Sequence, residues 1–359
     1  MSKTWKLIAG LVSFCAFAAV GMASAPPKPA QLVTGRIADL KVVSPQSYGG
    51  LMVFPLTGRN IGGMSYLTLD EAMADKLIEV SEVGSGDVNQ VSIRNRSGKR
   101  VFIMDGEEIV GAKQNRILNT SILIGPERTV KVPVSCVEHG RWAGTSDKFS
   151  SGKTQLFAKA RQANQASVNM HMAARPSAGA KSDQGQVWDK VAEKRVALDV
   201  TSSSGAMHDA YKQYDRDIDT YVKHFRPVPG QVGALFVVHG RIVGADIFDR
   251  NRTLTRLFDK MIKSYALDAI EKPVARTTIV PSRTDAEAFL KLALAKSAKF
   301  HDYDSPGEGR DVRIDSTRIS GASLVASGRA VHIVLFAAEK PTPRPLAPMN
   351  ERRQFQQNR

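Results

Sequence analysis

From residue 51 to residue 137 the chain is a succession of short apolar runs cut by Gly, Asn and Asp: Leu51 to Phe54, Leu77 to Val83, Val88 to Arg94, Arg100 to Met104, Ile117 to Ile124 and Thr129 to Val137. Runs of this length, bounded by turn residues, are the signature of β-strands. They predict a sandwich or open barrel for the N-terminal half. One short helix is expected to interrupt it at Thr68–Ala74, where Thr68 and Glu71 have the spacing of a capping box. After Trp142 the apolar period changes to 3.6, with helices expected at about 153–174, 186–198 and 206–225. Strands then return. The runs 233–238 and 242–245 flank His239-Gly240-Arg241, a tight hairpin, and helices near 252–270 and 284–298 lead to a closing β segment from Asp311 to Phe336. The fold class expected is α+β: a β-rich part over 31–142, a helical part over 150–226 and a mixed part over 231–339, with the returning strands joining the same core.

The ends of the chain read differently. Lys3 and Lys6 precede an apolar run from Leu7 to Val20 and the small residues Gly21 to Ala25, the layout of a secretory signal, with cleavage expected after Ala23. The expected location is therefore the periplasm, the alternative being a retained N-terminal membrane anchor. Residues 24–30, with three prolines, read as a linker, and residues 340–359, with Arg352-Arg353, as a disordered basic tail. Loss of Cys15 with the signal leaves Cys136 alone, which excludes an internal disulfide. The formal charge of +15 falls to about +13 when Lys3 and Lys6 leave, which favours anionic partners, including contacts with the envelope surface. Aromatic residues make up 7%, with no stripe interleaving them with basic residues, so nucleic acid is not the expected partner. No cofactor motif is present, and the oligomeric state is left open.

Within the β-rich half the block DGEEIVGAKQNR, residues 105–116, is conspicuously polar. Read as one strand, 114–124 puts Gln114, Arg116, Leu118, Thr120, Ile122 and Ile124 on one face, because side chains alternate with period two. With residues 125–129 as the loop, Ile124 faces Val130, Leu118 faces Cys136 and Arg116 faces Glu138; a register shift of two would keep the faces and change the pairs. The expectation is an Arg116–Glu138 pair at the mouth of the core, with Lys113, Gln114, Asn115, His139, Arg141 and Trp142 close by. Two kinds of chemistry fit. Glu108 and Glu138 are candidate catalytic carboxyls, because hydrolysis needs an acid and a base in different environments. Adjacent Glu107 and Glu108 alternate faces, so one of them at most is expected to point inward. Lys113, Gln114, Asn115, Arg116, His139 and Arg141 are candidate ligand-binding residues, Arg being the better fork for phosphate oxygens. Cys136 reads as a core cysteine, His301 to Asp304 as a solvated loop and not a metal site, and Asp249 or Asn251 as a helix cap.

The runs DGEEIVGAKQNRILNTSILI, PVSCVEHGRW, QGQVWDKV, SSSGAMHDAY, RPVPGQVGA and FDRNRTLTRLFDKMIKSYALDA, spread over residues 49–270, resemble the ARG and Rhodanese-Phosphatase-superfamily-associated protein domain family. The resemblance implies association with ADP-ribosyl hydrolase and phosphatase-type proteins, and hence a link to ADP-ribose-like or nucleotide ligands. It implies no particular reaction. Two functions stay open: binding, with or without hydrolysis, of an anionic phosphate-bearing molecule, or a noncatalytic envelope role.

Overall fold

The computed structural model describes residues 26–84, 89–141, 146, 148–272 and 280–338. The expected signal at 1–23, Trp142 and the tail at 340–359 lie outside them. Among the described residues no helix is long and apolar enough to cross a membrane.

The architecture is α+β with a β-rich N-terminal half, and three sheets carry it. The largest has nine strands in the order Lys41–Val42, Leu51–Thr57, Gln231–Val238, Arg241–Phe248, Arg329–Ala337, Ile319–Ala326, Arg310–Asp315 and Lys299–Asp304, with Gln46–Tyr48 also on Leu51–Thr57. Leu51–Thr57 pairs antiparallel with Gln231–Val238 (Phe54 opposite Leu235), so the chain between residues 58 and 230 emerges from one strand and re-enters at its neighbour. That excursion holds a closed barrel, ordered Thr129–Cys136, Gln90–Asn95, Ile78–Glu82, Lys148–Gln155, Glu107–Gly111 and Arg116–Leu118. Closure removes the free strand edges that an open sheet would expose. A small sheet of Ile122–Ile124, Arg100–Ile103 and Tyr66–Thr68 completes the set.

Register is where the sequence reading needs correction. Residues 114–124 are not one strand: Arg116–Leu118 stays in the barrel, and Ile122–Ile124 pairs with Arg100–Ile103. The break falls at three polar residues whose side chains are claimed elsewhere. Asn119 accepts from Ser135, Thr120 donates to Asp311, and Ser121 bonds Asp105 and His332. The pairing in the barrel is accordingly shifted by two, with Leu118 opposite Val134 and Arg116 opposite Cys136, so the faces are kept and the partners change.

Several element bounds also differ for local reasons. Pro29–Ala38, expected as linker and strand, is a helix with proline in its first turn that buries Val33, Arg36 and Ile37 against the large sheet. Residues 148–155 are a barrel strand, so the following helix begins only at Ala158 and ends at Ala174. The helix expected over 206–225 is two, Met207–Gln213 and Asp215–His224, separated at Tyr214, whose ψ of 18° leaves the helical range. Residues 301–304 belong to an edge strand. At the start of Asn251–Ala269 the N-cap is Arg250 and no side chain caps it; Asp249 is buried and accepts from the Tyr66 hydroxyl instead. The capping box at Thr68 and Glu71 and the hairpin at His239-Gly240 are present as expected.

Helix Asn251–Ala269 runs between the large sheet and the barrel, placing Leu254, Leu257, Phe258, Met261 and Tyr265 against Leu51, Val53, Phe236 and Phe248. Burial of side chains of this size stabilises by about 1.5–3 kcal/mol each, which makes this helix the apolar spine of the molecule. A polar knot lies beside it. Arg161 from helix Ala158–Ala174 donates two hydrogen bonds to Asp105 (2.8 and 2.8 Å) and two to Asp246 (2.7 and 2.9 Å), all three being fully buried. His332 lies 3.1 Å from Asp246 and 2.8 Å from the Ser121 hydroxyl. Burial alone would raise the Asp246 carboxyl, but Arg161 against it brings it down to about 2. The knot joins the turn after Arg100–Ile103, one helix and two strands of the large sheet.

Candidate functional site

The polar block 105–116 disperses to several destinations. Asp105 turns to Arg161, and Glu107 and Glu108 leave their strand on opposite sides, as period two requires. Both glutamates are fully buried, where only one was expected to point inward. Glu107 contacts Lys260 of the spine helix and accepts from the Met104 N–H at 2.7 Å; Lys260 also reaches Asp70 at 2.8 Å. Burial outweighs Lys260 and raises the Glu107 carboxyl.

Glu108 faces the other way. Its Oε2 accepts from the Thr154 hydroxyl and lies 3.0 Å from His208 Nδ1. The opposing strand makes room for it at Gly152, where a Cβ would stand 2.7 Å from the same oxygen and 3.1 Å from two carbons of the Glu108 side chain. Gly152→Ala is therefore expected to displace a buried carboxylate and lower stability by about 1–3 kcal/mol, as overpacking does. Denaturant unfolding of the variant checks this, and an unchanged midpoint would show that Glu108 is not held as described.

The expected Arg116–Glu138 pair is replaced by two others, the direct result of the shifted register. Arg116 donates to both oxygens of Glu82 (2.6 and 2.8 Å) and to the Gln90 carbonyl (3.1 Å), with its guanidinium 5.3 Å from the Phe149 ring centre. Glu138 is taken by Arg141, Nε to Oε1 at 2.9 Å and Nη2 to Oε2 at 2.6 Å, a bidentate fork. Arg141 also donates to Asn115 Oδ1 at 3.1 Å and the Ala112 carbonyl at 2.7 Å. Asn115 N–H donates to Glu138 Oε2 at 3.0 Å, and the Gln114 side chain donates to the Glu138 carbonyl at 2.8 Å. Burial would raise the Glu138 carboxyl, but the hydrogen bonds from Arg141, Ser204 and Asn115 lower it. A carboxylate held ionised in this way is a poor proton donor. Lys113 is half-buried with its N–H 3.4 Å from Glu82, and exposed His139 packs edge-on to Trp188 at 4.5 Å. Burial pushes the Cys136 thiol up to about 11, that of an unreactive core cysteine.

An open cavity of about 370 Å³ lies over this cluster, its wall including Asn115, Glu138, Arg141, Ser150, His208 and Asp209. Of the expected residues, Asn115, Glu138 and Arg141 line it, Glu108 stands behind His208, and Gln114 braces Glu138; Arg116, Lys113 and His139 do not line it. His208 and Asp209 were not anticipated. They come from helix Met207–Gln213, whose start is fixed by backbone bonds from Met207 to the Val137 carbonyl (2.9 Å) and from Gly140 to the Ser204 carbonyl (2.7 Å). The hydrogen bond to Glu108 raises the His208 pKa against the opposing effect of burial, so the imidazolium persists to higher pH than in an ordinary histidine. With Nδ1 committed to Glu108, Nε2 has no partner among the described residues, and His208 is part of the cavity wall. No group of three or more His, Cys, Asp or Glu side chains that could hold a metal ion occurs among the described residues.

A family model, the ARG and Rhodanese-Phosphatase-superfamily-associated Protein domain, matches residues 39–336. The chain belongs to this family. The matched span takes in all three sheets and every residue of the cavity wall, so the ARG and Rhodanese-Phosphatase-superfamily-associated domain is the unit that carries the site. No curated protein and no solved structure matches the chain.

Proposed function

We propose that the cavity binds a small anionic, phosphate-bearing molecule and that the Glu108–His208 pair performs acid–base chemistry on it. One observation carries this reading: a fully buried carboxylate holds Nδ1 of an imidazole on the cavity wall, and Nε2 of that ring has no partner among the described residues. In that arrangement the carboxylate fixes the tautomer and orientation of the ring and stabilises its cationic form, leaving Nε2 to give or take a proton. Asn115, Ser150 and Asp209 would position the ligand, while Glu138 holds Arg141 across the wall. Of the two carboxyls expected to be catalytic, Glu108 keeps a role, acting through His208, and Glu138 becomes a structural anchor. The family's description names association with ARG and phosphatase-superfamily proteins, which supports ADP-ribose and nucleotide derivatives as the ligands to try first. In this reading the protein is exported on residues 1–23 and works in the periplasm.

A second reading, a noncatalytic envelope protein, is favoured by a different observation: the guanidinium groups of Arg116 and Arg141 are both bonded to protein acceptors. Thermal unfolding of the full chain against ADP-ribose, NAD, nucleotides, sugar phosphates, divalent metals and anionic lipid headgroups separates the two. A ligand at about a hundred times its Kd adds roughly 2.7 kcal/mol, a shift of a few degrees. A shift that His208→Gln removes is expected. No shift with any compound would turn the assignment to the noncatalytic role.

A further inference from the structure

We propose that this cavity takes a ligand bearing a single anionic group, a phosphate monoester of a small polyhydroxy compound, and discriminates against pyrophosphates. The inference rests on the binding reading above and narrows it. Among the described residues of the wall the cationic groups are Arg141 and His208. Arg141 is matched by Glu138 in a bidentate pair and also donates to Asn115 Oδ1 and the Ala112 carbonyl, so its charge is neutralised where it stands. Arg116, which could have supplied a second anchor, is fully buried against Glu82 and is not part of the wall. His208 is paired with Glu108 through Nδ1 alone, so among the described residues of the wall its Nε2 is the ring nitrogen left to donate to a ligand.

The rest of the wall argues against a second phosphate. The Glu138–Arg141 pair presents no net charge, so a diphosphate anchored on His208 would bring its other charges toward Asp209 with no surplus cation on the described wall to offset it. Neutral hydroxyl groups face no such penalty. Asp209, which already accepts from Ser202, and Ser150 offer oxygen acceptors to alcohol hydrogens.

The test is calorimetric titration of the full chain with ribose 5-phosphate, ribose and ADP-ribose, repeated with His208→Gln and Asp209→Asn, each variant first shown to unfold with the parent's midpoint. The expected result is that ribose 5-phosphate binds at least tenfold more tightly than either of the other two, that His208→Gln removes its advantage over ribose, and that Asp209→Asn improves binding of ADP-ribose. ADP-ribose binding as tightly as the monoester, in a manner that needs His208, would overturn the narrowing and leave the site assignment standing. Absence of any His208-dependent binding would overturn the assignment and the narrowing together.

Discussion

Arg161→Met is expected to lower the free energy of unfolding by about 3–5 kcal/mol. The reason is what remains after the change. Asp105 and Asp246 are fully buried, and each accepts two hydrogen bonds from Arg161, so its removal leaves two buried carboxylates with His332 beside them and no guanidinium between them. Converting Asp105 and Asp246 to Asn in the same background should recover part of the loss, because a neutral amide is cheaper to bury than a charge. The pH dependence has a definite sign. The Asp246 carboxyl is depressed to about 2 in the folded protein, so its contribution is complete above the unfolded value near 3.9 and disappears as pH falls from there through about 2. Urea denaturation at pH 7 and at pH 3 measures both effects. A loss below 1 kcal/mol at pH 7 would mean that the knot does not tie the helix to the large sheet.

His208→Gln is expected to reduce turnover of whatever ligand the thermal screen identifies by about 10²–10⁴-fold, the range general acid–base groups contribute. Glu108→Gln should cost less, because it removes the group that holds His208 and not the one that reaches the substrate. It should also shift the pH profile. Loss of the Glu108 hydrogen bond returns the imidazole toward its ordinary pKa, so the limb that reports His208 moves to lower pH. A Glu108→Gln variant with reduced turnover and an unmoved profile would point to mere structural damage. The same linkage acts on stability: the raised His208 pKa contributes fully below about 6.5, and the contribution is lost as pH rises through the folded value.

How far the site could be read in advance depended on the range of the interaction. Period-two alternation correctly separated Glu107 from Glu108 and put Arg116 on the face of Leu118, because those are properties of one strand. The Arg116–Glu138 pair failed at the next level. It assumed that 114–124 runs unbroken into a hairpin, whereas Asn119, Thr120 and Ser121 are drawn off to Ser135, Asp311, Asp105 and His332, partners from 16 to 211 residues away. His208 was out of reach for a similar reason: it lies on a helix 100 residues beyond Glu108, and no spacing rule joins a strand glutamate to a helix histidine at that distance. Its segment, SSSGAMHDAY, stands out in the sequence as the start of a helix and as a family match, neither of which joins it to Glu108. The helix Pro29–Ala38 was hidden by Pro26, Pro27 and Pro29, which read as linker although proline in a helix's first turn is favourable.

The most direct measurement of the Glu108–His208 pair is nitrogen NMR of the imidazole rings of the full chain, with His208 assigned by the signal that His208→Gln removes. The Glu108–His208 pair predicts a pKa above the ordinary histidine value, a fall toward that value in Glu108→Gln, and a change at Nε2, larger than at Nδ1, when a ligand from the thermal screen is added. A His208 that titrates at or below the ordinary value in the parent, indifferent to Glu108→Gln and to every ligand, would contradict it.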